Sequence, residues 1–219
     1  MTHSEFAVVS PQPDIERRRF EYTHASLDAT DLDPDPVRQF LAWLTEAGEA
    51  GIREPNAMTL ATATGEPSAR IVLLRGVDAD AFTRYTNRES RKGRDVVENP
   101  RAALVFHWDA LERQVRVVGS VARVPDDVSA RYFAGRPRKS QLAAWASPQG
   151  QPIAAREVLE EAHSRLDEEF PGVVPLPPFW GGYCLRPTML RNLGNRRLRR
   201  DGRRHCGSRP RSAVDPRGS

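Results

Sequence analysis

The stretch Arg70-Ile71-Val72-Leu73-Leu74-Arg75 sets an apolar run between two arginines. Guanidinium groups are planar forks that grip phosphate oxygens through paired hydrogen bonds. A strand of this kind is expected to bury its middle and bring both cations to one rim. Taken alone the pattern also describes a plain strand with solvated ends. Its neighbours favour the first reading. Tyr85-Thr86-Asn87 closes the next apolar run, and Ser90-Arg91-Lys92 opens a short helical one. Hydroxyls, backbone N–H groups and two cations therefore meet at a helix N-terminus, which is a ready anion site.

The elements that must position these residues follow from periodicity. Asp35 is a predicted N-cap with Pro36 at the first helical position, and Val37, Phe40, Leu41, Leu44 and Ala47 recur at helical spacing. From Ala57 the period changes to that of strands: 57–63, 68–75, 82–86, 101–108 and 112–124, with Ser90–Asn99 a helix inserted among them. In the last of these strands Val115, Val117 and Val121 share one face and Gln114 and Arg116 the other, the half-buried pattern of a barrel wall. Helices are predicted over 125–135, 140–145 and 152–170. The last carries an apolar stripe of Ile153, Val158, Leu159, Ala162, Leu166 and Phe170. Phe179-Trp180-Gly181-Gly182-Tyr183 reads as a sixth strand.

With Trp108, Glu112-Arg113-Gln114-Val115, Tyr132-Phe133, Arg136-Pro137-Arg138, Ser140-Gln141, Trp145, Pro175-Leu176-Pro177 and Phe179-Trp180-Gly181-Gly182, these segments resemble the pyridoxamine 5′-phosphate oxidase family. The likeness runs in order from about Arg19 to Tyr183. It implies a mainly β fold with flanking helices, a six-stranded antiparallel split β-barrel, paired as a homodimer with FMN in clefts between subunits. By that similarity Arg70, Arg91 and Lys92 would hold the FMN phosphate, beside the strand Ile71, Val72, Leu73, Leu74 and Arg75. Tyr85, Thr86, Gln114, Gln149 and Gly150 would complete the flavin site, Gly150 standing where the family often has a serine. The substrate phosphate would fall to Arg75, Tyr132, Arg136 and Ser140, with Arg19 and Tyr22 on an N-terminal arm that shields the substrate.

The implied reaction is FMN-dependent oxidation of pyridoxamine or pyridoxine 5′-phosphate to pyridoxal 5′-phosphate by O₂, giving H₂O₂, with no protein nucleophile. Two other readings stay open: an oxidase of another flat substrate of the phenazine-precursor type, and a non-catalytic FMN or pyridoxal-phosphate carrier. Trp108, Trp145 and Trp180 read as structural anchors first. Cys184 and Cys206 stand in no metal-ligand spacing, so no metal site is expected.

Length and composition set the outer limits. The 219 residues, 39% hydrophobic and 28% charged, suit one globular domain. No apolar run approaches a membrane span and Met1–Ser10 lacks the order of a signal peptide, so the cytoplasm is the expected compartment. The net charge of +4 is misleading: eleven arginines and two aspartates fall in 186–219, leaving 22 basic and 27 acidic residues before it, a body of net −5. Nucleic acid is thus expected as a partner only through the tail.

Three regions follow: an arm over 1–33, the barrel domain over 34–185, and a basic tail over 186–219. The family continues with a tryptophan followed by Gln-Gly, then Arg-Leu-His, and ends near Glu-Arg-Leu-x-Pro, and none of these occurs here. The tail has no aromatic residue and is expected to form no packed strand pair. A shift of reading frame near Cys184–Asn192, a nucleic-acid-binding extension and an inert disordered extension all fit it. Loss of the family segments would uncover one side of the flavin cleft, weakening FMN binding and turnover.

Overall fold

The structure, a computed structural model, describes residues 32–78 and 80–193. The arm with Arg19 and Tyr22, and the tail from 194 onward, lie outside the described residues. Helix α1, Pro36–Glu49, starts where expected: Asp35 Oδ1 accepts from Val37 N at 2.8 Å and Arg38 N at 3.2 Å, and Pro36 needs no donor there. It buries Phe40, Trp43 and Ala47 against the sheet.

Among the described residues that sheet has seven antiparallel strands, one more than the sequence suggested, in the order β2-β1-β5-β6-β7-β4-β3. They are β1 Ala57–Thr64, β2 Glu66–Leu73, β3 Gly76–Asp78, β4 Ala81–Asn87, β5 Arg101–Trp108, β6 Arg113–Arg123 and β7 Trp180–Leu193. The added strand is β3, three residues hairpinned onto β4, too short to show an alternation. Between the strands lie α2 Arg91–Glu98, α3 Asp126–Ala134, α4 Arg138–Ala146 and α5 Arg156–Glu169. The wall pattern on β6 holds, with Val115 and Val117 fully buried and Arg116 exposed. The main core gathers Phe40, Phe82, Phe106 and Trp108 with Met58, Leu60, Leu104 and Leu190. Trp108 closes it by donating Nε1–H to Pro55 O at 2.9 Å.

Three expectations need correction. The first concerns β2, which ends at Leu73 and not at Arg75, and which lies at the sheet edge. Ile71 is consequently 66% exposed rather than buried. The second is the apolar stripe of α5. The helix begins at Arg156 and buries no residue of its own, Ile153 and Val158 are exposed, and only Leu166 and Phe170 reach the smaller core of Phe133, Leu142, Val174 and Trp180. The stripe overruns the body it packs on. Arg138 ties the helix end down through the Asp167 carboxylate at 2.6 Å and the carbonyls of Phe170 and Gly172.

The third concerns the end of the barrel. The sixth apolar strand was expected to stop near Tyr183, with 186 onward unable to pair. Instead β7 continues to Leu193, its first part on β4 and its whole second part on β6, with Ser120 opposite Arg186 and Gln114 opposite Leu193. The register slips once, at Thr188, whose hydroxyl donates to Val118 O at 3.1 Å. Leu190 falls on the inner face and is 4% exposed. Arginine content hid this strand because the ladder uses backbone groups and asks only for alternate apolar side chains.

Truncating that side chain is a direct check. Leu190→Ala is expected to lower the unfolding free energy by roughly 2–5 kcal/mol, the range for emptying a buried leucine site. Urea unfolding of the two chains measures it, and identical curves would return 186–193 to a loose tail.

Candidate functional site

Strand β4 organises the site because its two faces serve different neighbours. Tyr85 points to one side, where its ring stacks on Tyr132 of α3 at 3.8 Å between centroids and 1° between planes, with Trp180 beside the pair at 5.4 Å from Tyr85. Gly181 and Gly182 follow that tryptophan for a steric reason. A Cβ on Gly182 would lie 2.8 Å from both Tyr85 and Val124, whereas one on Gly181 would displace the end of the Arg88 side chain. The Trp-Gly-Gly sequence therefore lets β7 approach β4 and its aromatic stack.

Beside this stack opens a cleft of about 280 Å³, lined by Arg75, Tyr85, Thr86, Tyr132, Arg136, Ser140, Gln149 and Trp180 among others. All four residues expected to hold a substrate phosphate are in it. They arrive from separate elements: Arg75 from the link after β2, Tyr132 from α3, Arg136 from the bend between α3 and α4, and Ser140 from the first turn of α4. Arg136 lies over the Trp180 ring at 4.9 Å, and its Nη1 is buried with no hydrogen-bond partner among the described residues. Burial lowers its pKa first and the charge of Arg75 adds to that effect, although Tyr132 opposes it. Burial likewise raises the Tyr85 phenol, and Tyr132 adds to it. Arg138 is not part of this cleft; the Arg-Pro-Arg motif divides into one cleft arginine and one that fastens α5.

A second group of cations sits on the other side of Thr86. Arg70 donates Nη1 to Leu60 O at 3.2 Å and to Thr62 Oγ1 at 2.8 Å, donates Nη2 to Ser68 Oγ at 2.6 Å, and stands 3.6 Å from Asp95 Oδ2. That carboxylate also accepts the Thr62 hydroxyl at 2.5 Å. Lys92 Nζ donates to Ser90 Oγ at 2.9 Å and to Gln149 Oε1 at 2.8 Å. The same Gln149 oxygen accepts from Thr86 Oγ1 at 3.0 Å. Ser90 is at the N-cap position of α2, yet its side chain does not cap; it donates to Asn87 O at 2.7 Å and serves Lys92. Burial pushes the Lys92 ammonium down to about 8, helped by the fields of Arg84 and Arg70.

Other expected residues are less central. Arg91 begins α2 but is mostly exposed and pairs with Glu66 at 3.2 Å. Gly150 is exposed next to Gln149. Gln114 stands at the far end of β6, opposite His107 and Leu193, and does not line the cleft of its own chain. Of 71–74, Leu74 is in the core and Ile71 faces outward. Arg70 and Arg75 do not share one rim, contrary to the expectation. The chain turns after Leu73, so they feed two separate cation groups. Reading of the motifs missed Asp95, Thr62 and Arg84. Arg84 was detectable, since it replaces an apolar residue on the buried face of β4 between Phe82 and Thr86.

The cleft with Arg75 and Arg136 thus adjoins the Lys92 group through Thr86 and Gln149. A family model described as pyridoxamine 5′-phosphate oxidase matches residues 44–167. The chain belongs to the pyridoxamine 5′-phosphate oxidase family. A pyridoxine/pyridoxamine 5′-phosphate oxidase of Cupriavidus metallidurans is 54% identical over 78% of this chain and 82% of that protein. A crystal structure of PhzG from Burkholderia lata 383 in complex with tetrahydrophenazine-1-carboxylic acid is similar at 27% identity, with a TM-score of 0.71 over 76% of this chain and 84% of that one. An FMN binding protein of Nostoc punctiforme PCC 73102, related to pyridoxamine 5′-phosphate oxidase, shares the fold at a TM-score of 0.61 and 18% identity, covering 78% and 89%. Pyridoxamine 5′-phosphate oxidases are flavoprotein oxidoreductases, and the chain is an enzyme of that class on a split-barrel fold. No helix among the described residues is long and apolar enough to cross a membrane.

The low Lys92 pKa gives this oxidase fold a pH signature. The folded group releases its proton near 8, whereas an unfolded lysine does so near about 10.4. Between those values the unfolded chain binds the extra proton, so stability rises with pH there. The urea midpoint of the flavin-free protein is expected to rise between pH 7.5 and 9.5, and to rise less in Lys92→Met. Equal slopes in the two chains would show that Lys92 carries no such penalty.

Proposed function

We propose that this chain oxidises pyridoxamine and pyridoxine 5′-phosphates to pyridoxal 5′-phosphate with FMN as cofactor, O₂ as electron acceptor and H₂O₂ as product. The alcohol substrate requires O₂ alone, and the amine requires O₂ and water and releases ammonia. The observation that carries this reading is the convergence of Arg75, Tyr132, Arg136 and Ser140 on one cleft, whose Thr86 and Gln149 also meet Lys92 of the second cation group. Two adjoining cation groups suit a phosphorylated ring lying beside a phosphorylated cofactor. FMN would supply hydride acceptance and reaction with O₂ when bound.

The residues present fit that cofactor. Arg70, Arg91 and Lys92 are cations for its phosphate, and Thr86 and Gln149 meet Lys92 at a single point. Tyr85, Gly150 and the strand from Ile71 to Leu74 would border the ring. A homodimer in which FMN is shared, with Gln114 and the exposed Ile71 facing the partner, would account for Gln114 lying outside the cleft of its own chain. The protein's task is then positioning: cations at one end of a flat substrate fix its orientation, which is worth much of the rate in a reaction without a nucleophile. Arg136 Nη1 and the aromatic stack beside it would meet the ring at that end.

The similarity to PhzG supports a second reading, oxidation of a flat carboxylated substrate. Two arginines with a hydroxyl pair suit a phosphate dianion better than a carboxylate. Peroxide release on adding pyridoxamine 5′-phosphate to the FMN-loaded chain tests the proposal. A yellow protein without turnover would favour a carrier. Arg75→Ala is expected to raise KM roughly ten- to a hundredfold, the loss of one charge-assisted hydrogen bond, while flavin content, read by absorbance, stays near that of the parent. Parallel loss of both would assign Arg75 to the cofactor.

A further inference from the structure

Arg84 is the one group in this region that the reading above leaves without a task. It lies in the middle of β4 on the face shared by Phe82 and Thr86, opposite Tyr183 of β7. The residue is 4% exposed, and neither Nη1 nor Nη2 has a hydrogen-bond partner among the described residues. Its guanidinium carbon is 5.3 Å from the centre of the Tyr183 ring, a contact that occupies the face of the fork and leaves its terminal N–H groups unused. Burial lowers its pKa to about 10, so it remains a cation at neutral pH.

Its surroundings make this stranger. Tyr183, on whose ring it rests, favours its charge, but the cations whose fields it shares, Arg70 and Lys92, are both of its own sign. Asp95 is the carboxylate of the group, and it is engaged by Arg70 and by the Thr62 hydroxyl. A guanidinium buried without an anion is strongly unfavourable, and folds retain such groups where a ligand supplies the missing charge. Thr86, two residues along the same face and thus about 7 Å away, meets Lys92 at the Gln149 oxygen. An arginine side chain spans that distance.

We propose that Arg84 is a third cation of the cofactor-phosphate site, donating its terminal N–H groups to the phosphate that Arg70 and Lys92 also face. The inference rests on the reading that this site takes FMN. It makes the site specific for the phosphorylated flavin over riboflavin, and it makes the empty protein carry an uncompensated charge that the cofactor neutralises.

The test compares FMN with riboflavin on the full chain freed of flavin, by quenching of flavin fluorescence, together with thermal melting in the absence and presence of FMN. For Arg84→Met, FMN affinity is expected to fall roughly ten- to a hundredfold, as for loss of a charged donor to phosphate, with riboflavin affinity unchanged. The flavin-free melting temperature should be equal or higher, because a buried unpaired charge has gone, while the rise induced by FMN shrinks. Arg84→Lys should recover part of the FMN affinity; it carries the same comparison should the methionine chain not fold. Unchanged FMN affinity, parallel loss of FMN and riboflavin, or a lower flavin-free melting temperature with the FMN-induced rise intact would each overturn the proposal and leave the cofactor reading standing. Failure of the parent chain to prefer FMN to riboflavin would remove both.

Discussion

Like charge held together against its own repulsion is the condition on which this structure depends. Arg84 and Lys92 lie within the field of Arg70 and Lys92 within that of Arg84, and of the three only Arg70 meets a carboxylate among the described residues, Asp95. Side chains free to move would separate and take up water. Here they come from β2, β4 and α2, and the elements that carry them are fixed elsewhere. Phe40, Phe82, Phe106 and Trp108 pack in a continuous aromatic contact under the sheet, with centroids 4.8–6.5 Å apart. Phe82 belongs to that core and Arg84 is the next residue on its face, so the rigidity of the one is passed to the other through two peptide units. Preorganised charge of this kind stabilises an anion without rearrangement when it arrives.

The second cation group is built on weaker foundations. Tyr132, Arg136 and Ser140 belong to α3, α4 and the bend between them, packed over the small core of Phe133, Leu142, Val174 and Trp180. Helix α5 adds little, since it buries no residue fully and is held by Leu166 and by the Arg138 contacts with Asp167 and the carbonyls beyond it. Local stability follows packing, so this half of the cleft is the part most able to open. The division has a functional sense: the rigid half is proposed to keep a cofactor through many turnovers, and the softer half a substrate that must enter and leave. Tyr85 connects the halves, since its backbone belongs to β4 and its ring lies on Tyr132 and beside Trp180.

Much of this was legible in residue types. The N-cap of α1, the bounds of β5, the helix after Ser90 and the alternation on β6 all follow from local chemistry, and each was read to within a few residues. The substrate-side residues came from resemblance, and the fold does bring Arg75, Tyr132, Arg136 and Ser140 together, although they span 65 positions of the sequence. What escaped was set by tertiary geometry. Nothing local states that Ile71 lies on an edge strand, that α5 extends past its support, or that Arg70 and Arg75 part at the turn after Leu73. Asp95 could not be distinguished from other acidic residues of a short helix until Thr62 and Arg70 were placed across from it.

Strand β7 shows why composition is a poor guide at the end of a sheet. From Arg186 to Leu193 the chain has two arginines, a proline and an asparagine, which argue for a solvated segment. Its position argues otherwise. Tyr183 and Leu185 pair on both sides, with β4 and with β6, and once those residues are in place the following backbone is already aligned beside the free edge of β6. Adding a residue to a ladder in progress fixes few new degrees of freedom, whereas starting one requires fixing both strands. Met189 and Leu190 need then supply only modest burial, and the slip at Thr188 absorbs the offset that Pro187 introduces. The same strand carries Tyr183, against which Arg84 rests. Pairing that anchors the last strand to β6 thus also fixes the ring behind the buried cation, so the end of the barrel and the charge group at its centre stand or fall together.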